Sequence, residues 1–241
     1  MSVKGGGAGG ADDPAVQAVA QHVLKMIKDG DKVGLGSGRA SSAFITALGQ
    51  ALKAGKLKNI QGVPTSDASE KLARELGIPL IELAENVELD LTVDGADEVA
   101  PNLDLIKGWG GALVRERIVA SASKRQIILV GPEKLVQTLG ERGRIPVEII
   151  PLAQGFVTRK LKALGVTPTL RKNKDGGAFI SDNKNLTLDC ALSKPLADGA
   201  AARELEQNIL SLAGVVDTGM FLGTAQQVLV GQADGRVDVL N

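Results

Sequence analysis

Between residues 32 and 130 the chain alternates short apolar runs with longer segments whose apolar residues recur at helical spacing. This alternation limits the fold more than any other feature. Residues 32–35, 59–63, 89–93 and 126–130 read as strands. Between them, Phe44, Ala47, Leu48 and Ala51 share one helical face. A second helix opens on a capping-box-like pair, Asp67 and Glu70, and stops at Gly77. A third runs from about Ala112. Strand, helix, strand, helix implies right-handed crossovers and a mainly parallel sheet with helices on both faces, a Rossmann-like α/β fold. One more helix precedes the series: Asp13 is its N-cap, Pro14 its first residue, and Val16, Val19, Ala20, Val23 and Ile27 its inner face.

From Pro146 the texture changes. Residues 147–150, 167–171, 178–181 and 185–191 read as strands, and 154–164 and 200–212 as helices. That pattern is a compact split β-α-β module, so residues 144–216 are expected to form a small α+β, ferredoxin-like domain. Segments 219–222 and 227–230 are expected to return to the first sheet, giving a Rossmann-like catalytic domain of residues 13–143 and 217–241. Residues 1–12 are rich in glycine, lack the apolar core of a signal peptide, and read as a flexible arm.

Lysine plus arginine and aspartate plus glutamate both number 28, and aromatic residues make up 2% of the chain. Nucleic-acid binding, which favours a basic surface and stacking rings, is not expected. No apolar run approaches the ~18 residues that cross a bilayer, so no membrane partner is expected. One cysteine, Cys190, forms no internal disulfide and sits in a strand-like apolar setting. It reads as a buried, inert thiol in a reducing, cytoplasmic compartment. One cysteine and one histidine argue against a zinc site. A magnesium site built from carboxylates stays open. The histidine, His22, lies off its helix's apolar stripe and reads as a surface residue.

Open α/β sheets bind ligands at the carboxyl ends of their strands. There the third strand is followed by Asp94, Gly95, Ala96 and Asp97, then by Lys107, Gly108, Trp109, Gly110 and Gly111, then by a helix carrying Glu116. Each residue alone has an ordinary role: the aspartates as turn or capping residues, the glutamate between Arg115 and Arg117 as a solvated face. Together they gather two carboxylates, a lysine, flexible backbone and a third carboxylate. Glu116 shares a stripe with Ala112, Val119 and Ala120, which would place it in a partly desolvated wall, and desolvation raises a carboxylate pKa toward the range useful for a base. The first strand feeds Gly36, Ser37, Gly38, Arg39, Ala40 and Ser41 at a helix start, where backbone N–H groups and the helix dipole favour phosphate. The run lacks the GK[ST] of a P-loop, and Arg39 breaks a dinucleotide fingerprint. The phosphate of a small sugar is preferred to a nucleotide, and a tight turn without ligand is the ordinary alternative. Lys134 follows the fourth strand, as a ligand contact or a surface lysine.

These segments carry a resemblance. DGADEV at 94–99 and LIKGWGGALVRERI at 105–118 closely resemble segments of the type A ribose-5-phosphate isomerase family, as do GLGSG at 34–38 and GVPTS at 62–66. PVEIIP at 146–151, SDNKN at 181–185 and GVVDTGMF at 214–221 look like further landmarks in the same order. The resemblance implies interconversion of ribose 5-phosphate and ribulose 5-phosphate through an enediol(ate), with a pentose phosphate as partner, no metal, no cofactor, and a homodimer. It implies Glu116 as the base and Lys107 as the cation beside the developing oxyanion. Asp94 and Asp97 would bind sugar hydroxyls, with Asp94 assisting ring opening. Ser37, Gly38, Arg39, Ala40, Gly95, Ala96, Gly108, Trp109, Gly110 and Lys134 would complete the substrate site. Arg39 and Ala40 stand where the family usually has hydroxyl residues, and Val16 where it often has a lysine. Two other classes remain open at this point: a coenzyme A transferase-like enzyme with Glu116 as nucleophile, and a non-catalytic sugar-phosphate sensor.

Overall fold

A computed structural model describes residues 13–241; the glycine-rich arm expected at 1–12 lies outside the described residues. The chain runs α1 (Pro14–Leu24), β1 (Lys32–Leu35), α2 (Arg39–Lys53), β2 (Gln61–Pro64), α3 (Asp67–Glu75), β3 (Leu91–Gly95), β4 (Glu98–Val99), β5 (Leu105–Ile106), α4 (Leu113–Ser121) and β6 (Gln126–Val130). It continues with β7 (Arg144–Ile149), α5 (Gln154–Ala163), β8 (Thr167–Leu170), β9 (Leu186–Ala191), α6 (Gly199–Leu210), β10 (Val215–Thr218), β11 (Met220–Phe221), β12 (Gln227–Gly231) and β13 (Val237–Leu240).

The central sheet has the order β13-β12-β6-β3-β1-β2. Its strands are parallel except β13, which closes one edge antiparallel to β12. β6 is buried along its whole length, as a strand covered on both faces must be. Ile127 and Leu129 pack with α1 and α2 against Val23, Phe44 and Leu48. Ile128 and Val130 face the other way, against Leu113 of α4 and Phe221.

A four-stranded antiparallel sheet, order β10-β7-β9-β8, carries α5 and α6 over a core of Val147, Ile149, Val157, Leu161 and Ile209. Cys190 of β9 is fully buried there, and burial pushes its thiol up to about 12. The segment expected to be a strand at 178–181 makes only isolated bridges, at Ala178 and Ile180. Residues 219–222 do not rejoin the central sheet. Met220 and Phe221 pair instead with β5 in a separate three-stranded sheet, β11-β5-β4. The capping box on α3 is also displaced by one residue: the Ser66 side chain accepts from Ser69 N, and Ser69 returns the bond to the Ser66 backbone.

Candidate active site

The site follows from the register of β3. Leu91 and Val93 join the core beneath α1 and α2. Thr92 turns the other way: its hydroxyl donates to Val119 O of α4 at 3.3 Å. The strand does not stop at Val93 but pairs on through Gly95, with Asp94 opposite Ile128. Asp94 therefore keeps the pleat and shares the α4 side with Thr92.

Lys107, immediately after β5, reaches into the same space. It is 2% exposed, and its Nζ donates to Asp94 Oδ2 at 2.9 Å and to Gly95 O at 2.6 Å. Glu116, one turn into α4, is 5% exposed, and its Oε2 lies 3.2 Å from Lys107 Nζ. That contact pairs the carboxylate with the ammonium inside the protein. Burial raises the pKa of Glu116 well above the usual carboxylate range; Lys107 opposes the shift, and the charges of Asp94 and Asp97 add to it. Burial works against the Lys107 ammonium, yet the charges of Asp94 and Glu116 outweigh it and hold the lysine protonated.

Asp94 is enclosed within the protein. It is fully buried, and Oδ1 accepts from Ser37 N at 3.0 Å, Gly95 N at 2.8 Å and Ser41 Oγ at 3.4 Å. Oδ2 takes the lysine. Both carboxylate oxygens are thus engaged within the protein, and Asp94 stands behind the residues that line the cavity. Gly36 permits this packing, because a Cβ there would collide with the Asp94 carboxylate and Val93 O.

The cavity above these groups measures about 390 Å³, a size suited to a small ligand. Lys107 and Glu116 lie at one part of its wall, and Ser37, Gly38, Arg39 and Ala40 at another. Gly95, Ala96, Asp97, Gly108, Gly110 and Lys134 also line it, so the cavity gathers most of the residues singled out by sequence. α2 has no side-chain cap hydrogen bond at its start, which leaves first-turn N–H groups to an anion. The Ser37 hydroxyl is held at 2.8 Å from both Thr65 Oγ1 and Ser66 Oγ. Burial lowers the Lys134 pKa, Asp97 opposes that shift, and the nearby Arg39 charge adds to it. Asp97 Oδ2 accepts from Trp109 N at 2.9 Å, and burial raises its pKa.

Trp109 joins the site through its backbone alone. Its ring lies off the cavity wall, its Nε1 donates to Arg144 O at 3.0 Å, and Arg142, Arg144 and Lys134 surround it at 5.0–5.9 Å. Sequence reasoning missed Asp13, Glu133 and Gly231, which line the cavity too. Glu133 follows β6 and Gly231 ends β12, which pair in parallel, while Asp13 caps α1, which lies against β12.

Comparison with known proteins places this geometry. The family model for ribose 5-phosphate isomerase A (phosphoriboisomerase A) matches residues 61–235. The chain belongs to the ribose-5-phosphate isomerase A family. It is 43% identical to ribose-5-phosphate isomerase A of Desulfatibacillum aliphaticivorans over 225 residues, covering 93% of this chain and 96% of the relative. It superposes on ribose 5-phosphate isomerase from Plasmodium falciparum with a TM-score of 0.90 at 37% identity, covering 95% of this chain and 98% of that one. A D-ribose-5-phosphate isomerase solved in complex with phospho-erythronic acid matches with a TM-score of 0.88 at 36% identity over 94% and 97% of the two chains. The transferase-like and sensor readings find no support among these relatives.

Proposed function

We propose that this chain interconverts D-ribose 5-phosphate and D-ribulose 5-phosphate by proton transfer between C1 and C2. The observation that carries the reading is the buried pair at the cavity wall: the Glu116 carboxylate, 3.2 Å from the Lys107 ammonium, which Asp94 holds in turn. Glu116 would lift the C2 proton of the open-chain aldose. Negative charge would then develop on the C1 oxygen, within reach of Lys107. Returning the proton to C1, while the proton of the C2 hydroxyl passes to the C1 oxygen, yields the ketose. One residue performs both transfers, because a carboxyl that has gained a proton is poised to give it back. Asp97 would hold sugar hydroxyls. The start of α2, Arg39 and Lys134 would hold the phosphate, since they form the cationic part of the wall. The phospho-erythronic acid bound by the solved relative suits this reading: its carboxylate is a planar two-oxygen group on a phosphorylated chain, much like an enediolate.

Lys107 itself supplies the positive charge between the carboxylates of Asp94 and Glu116. Among the described residues no group of three or more histidine, cysteine, aspartate or glutamate side chains could hold a metal ion. Activity should therefore survive exhaustive EDTA treatment; loss that magnesium or manganese restores would overturn the lysine–carboxylate scheme. The cytoplasmic setting and homodimer belong to the same proposal, and light scattering of the purified protein checks the second. The deciding experiment is an assay with ribose 5-phosphate: ketose should form, with solvent deuterium entering C1 in heavy water. No turnover would sink the reading.

A further inference from the structure

The base is followed in sequence by Arg117, whose side chain leaves the cavity for the four-stranded sheet. Its Nε donates to Asp217 Oδ2 of β10 at 2.6 Å, and its Nη2 lies 3.3 Å from Glu206 Oε1 of α6. The same Nη2 donates to Thr218 O at 2.9 Å and Met220 O at 2.8 Å. These carbonyls flank Gly219, in the strap between β10 and β11. Gly219 O in turn accepts from the Lys107 backbone N at 2.8 Å, and Gly219 N donates to Pro146 O at 2.7 Å. A Cβ on Gly219 would collide with Lys107 O and meet Pro146 Cδ at 2.7 Å, so strap and lysine loop are in full contact. Phe221, just beyond the strap and fully buried, has the Arg117 guanidinium 4.3 Å and the Lys107 ammonium 5.4 Å from its ring centre.

We propose that Arg117 is a positioning residue: by gripping the 218–220 strap from the helix that carries the base, it sets the spacing between Glu116 and Lys107. The inference rests on the proposed roles of those two residues. The lysine loop leads into α4 through residues 108–112, and both are also referred to the same three residues, one through a side chain and the other through its backbone. Phe221 adds a second path, an aromatic ring placed between the two cations. Arg117 itself is three-quarters buried as a side chain, as are its carboxylate partners, so releasing one end leaves a charge that cannot stay where it was.

The test separates this role from simple support of the fold. The charged groups around Glu116 are Lys107, Asp94 and Asp97. Of these only Lys107 favours the ionised base, so retreat of the lysine should move the acid limb of the pH profile upward. R117M should lower kcat about ten- to a hundredfold, the order expected of a misplaced catalytic group. KM for ribose 5-phosphate should stay within about threefold, since the phosphate end is untouched. R117K should recover part of kcat and of the pH shift. D217N, which loosens one anchor and keeps the arginine, should change both in the same direction by less. A folded R117M with wild-type kcat and acid limb, or with a change confined to KM, overturns the proposal. If R117M does not fold, R117K and D217N decide on the same two readouts. Wild-type protein inactive on ribose 5-phosphate, or E116Q at the wild-type rate, would instead remove the function on which the inference stands.

Discussion

Glu116 and Lys107 meet where water scarcely enters, and the pH dependence of turnover should show it. As the proposed base, Glu116 would work only when ionised, and burial raises its pKa. Activity should therefore fall as pH drops through a value above the ordinary carboxylate range, well before an exposed glutamate would titrate. A kcat/KM profile flat down to the normal range would contradict that. E116Q keeps the shape and removes the base, so turnover should fall by about 10²–10⁴-fold; near-normal activity would take Glu116 out of the mechanism. The residues of this centre were legible in the sequence, because DGAD, the glycine loop and the stripe of Ala112, Val119 and Ala120 each pointed to one end of one strand. The packing of Asp94 was not. It depends on β3 pairing two residues further than its apolar alternation suggests, and a strand's pairing decides what each side chain meets.

At the level of elements, the start of α2 is the part that distinguishes this chain. Arg39 opens the helix on the cavity wall, close enough to Lys134 for its charge to be felt there. A charge-assisted contact to a remote phosphate contributes roughly 1.5–3 kcal/mol and is made about equally in ground and transition states. R39A should raise KM about ten- to a hundredfold and leave kcat nearly alone; an unchanged KM at low salt would hand the phosphate to backbone groups. The turn before the helix has a different sensitivity. In G36A the added methyl would press on the Asp94 carboxylate, so kcat should fall with the loss of lysine alignment, as the same assay would show. The four principal parallel strands and all the helices could be foreseen from spacing, since each buries a stripe or a full run of apolar residues. β4 and β5 could not, being two residues long, and β11, expected within 219–222, was placed in the wrong sheet because so short a strand does not show its partner. The strand expected at 178–181 is reduced to two isolated bridges, Ala178 with Lys172 and Ile180 with Leu186.

Across the whole molecule, the two larger sheets are tied at the catalytic seam itself. Arg117 joins α4 to β10 and α6, and Arg171 of the four-stranded module donates from Nη1 to Gly108 O at 3.0 Å and Trp109 O at 3.2 Å. Unfolding of one unit should strip the other of its contacts. Thermal unfolding followed by the single tryptophan, Trp109, and by backbone circular dichroism should then coincide, as for one cooperative unit; two separated transitions would show that the seam does not couple them. The thiol of Cys190 offers another view of the same question. It is sealed inside β9 with its pKa pushed up to about 12, and only a thiolate attacks an alkylating reagent. Labelling must wait until the strand opens, so the chain carries its own clock for local breathing of the four-stranded sheet, readable by mass at a single atom while the enzyme is at work.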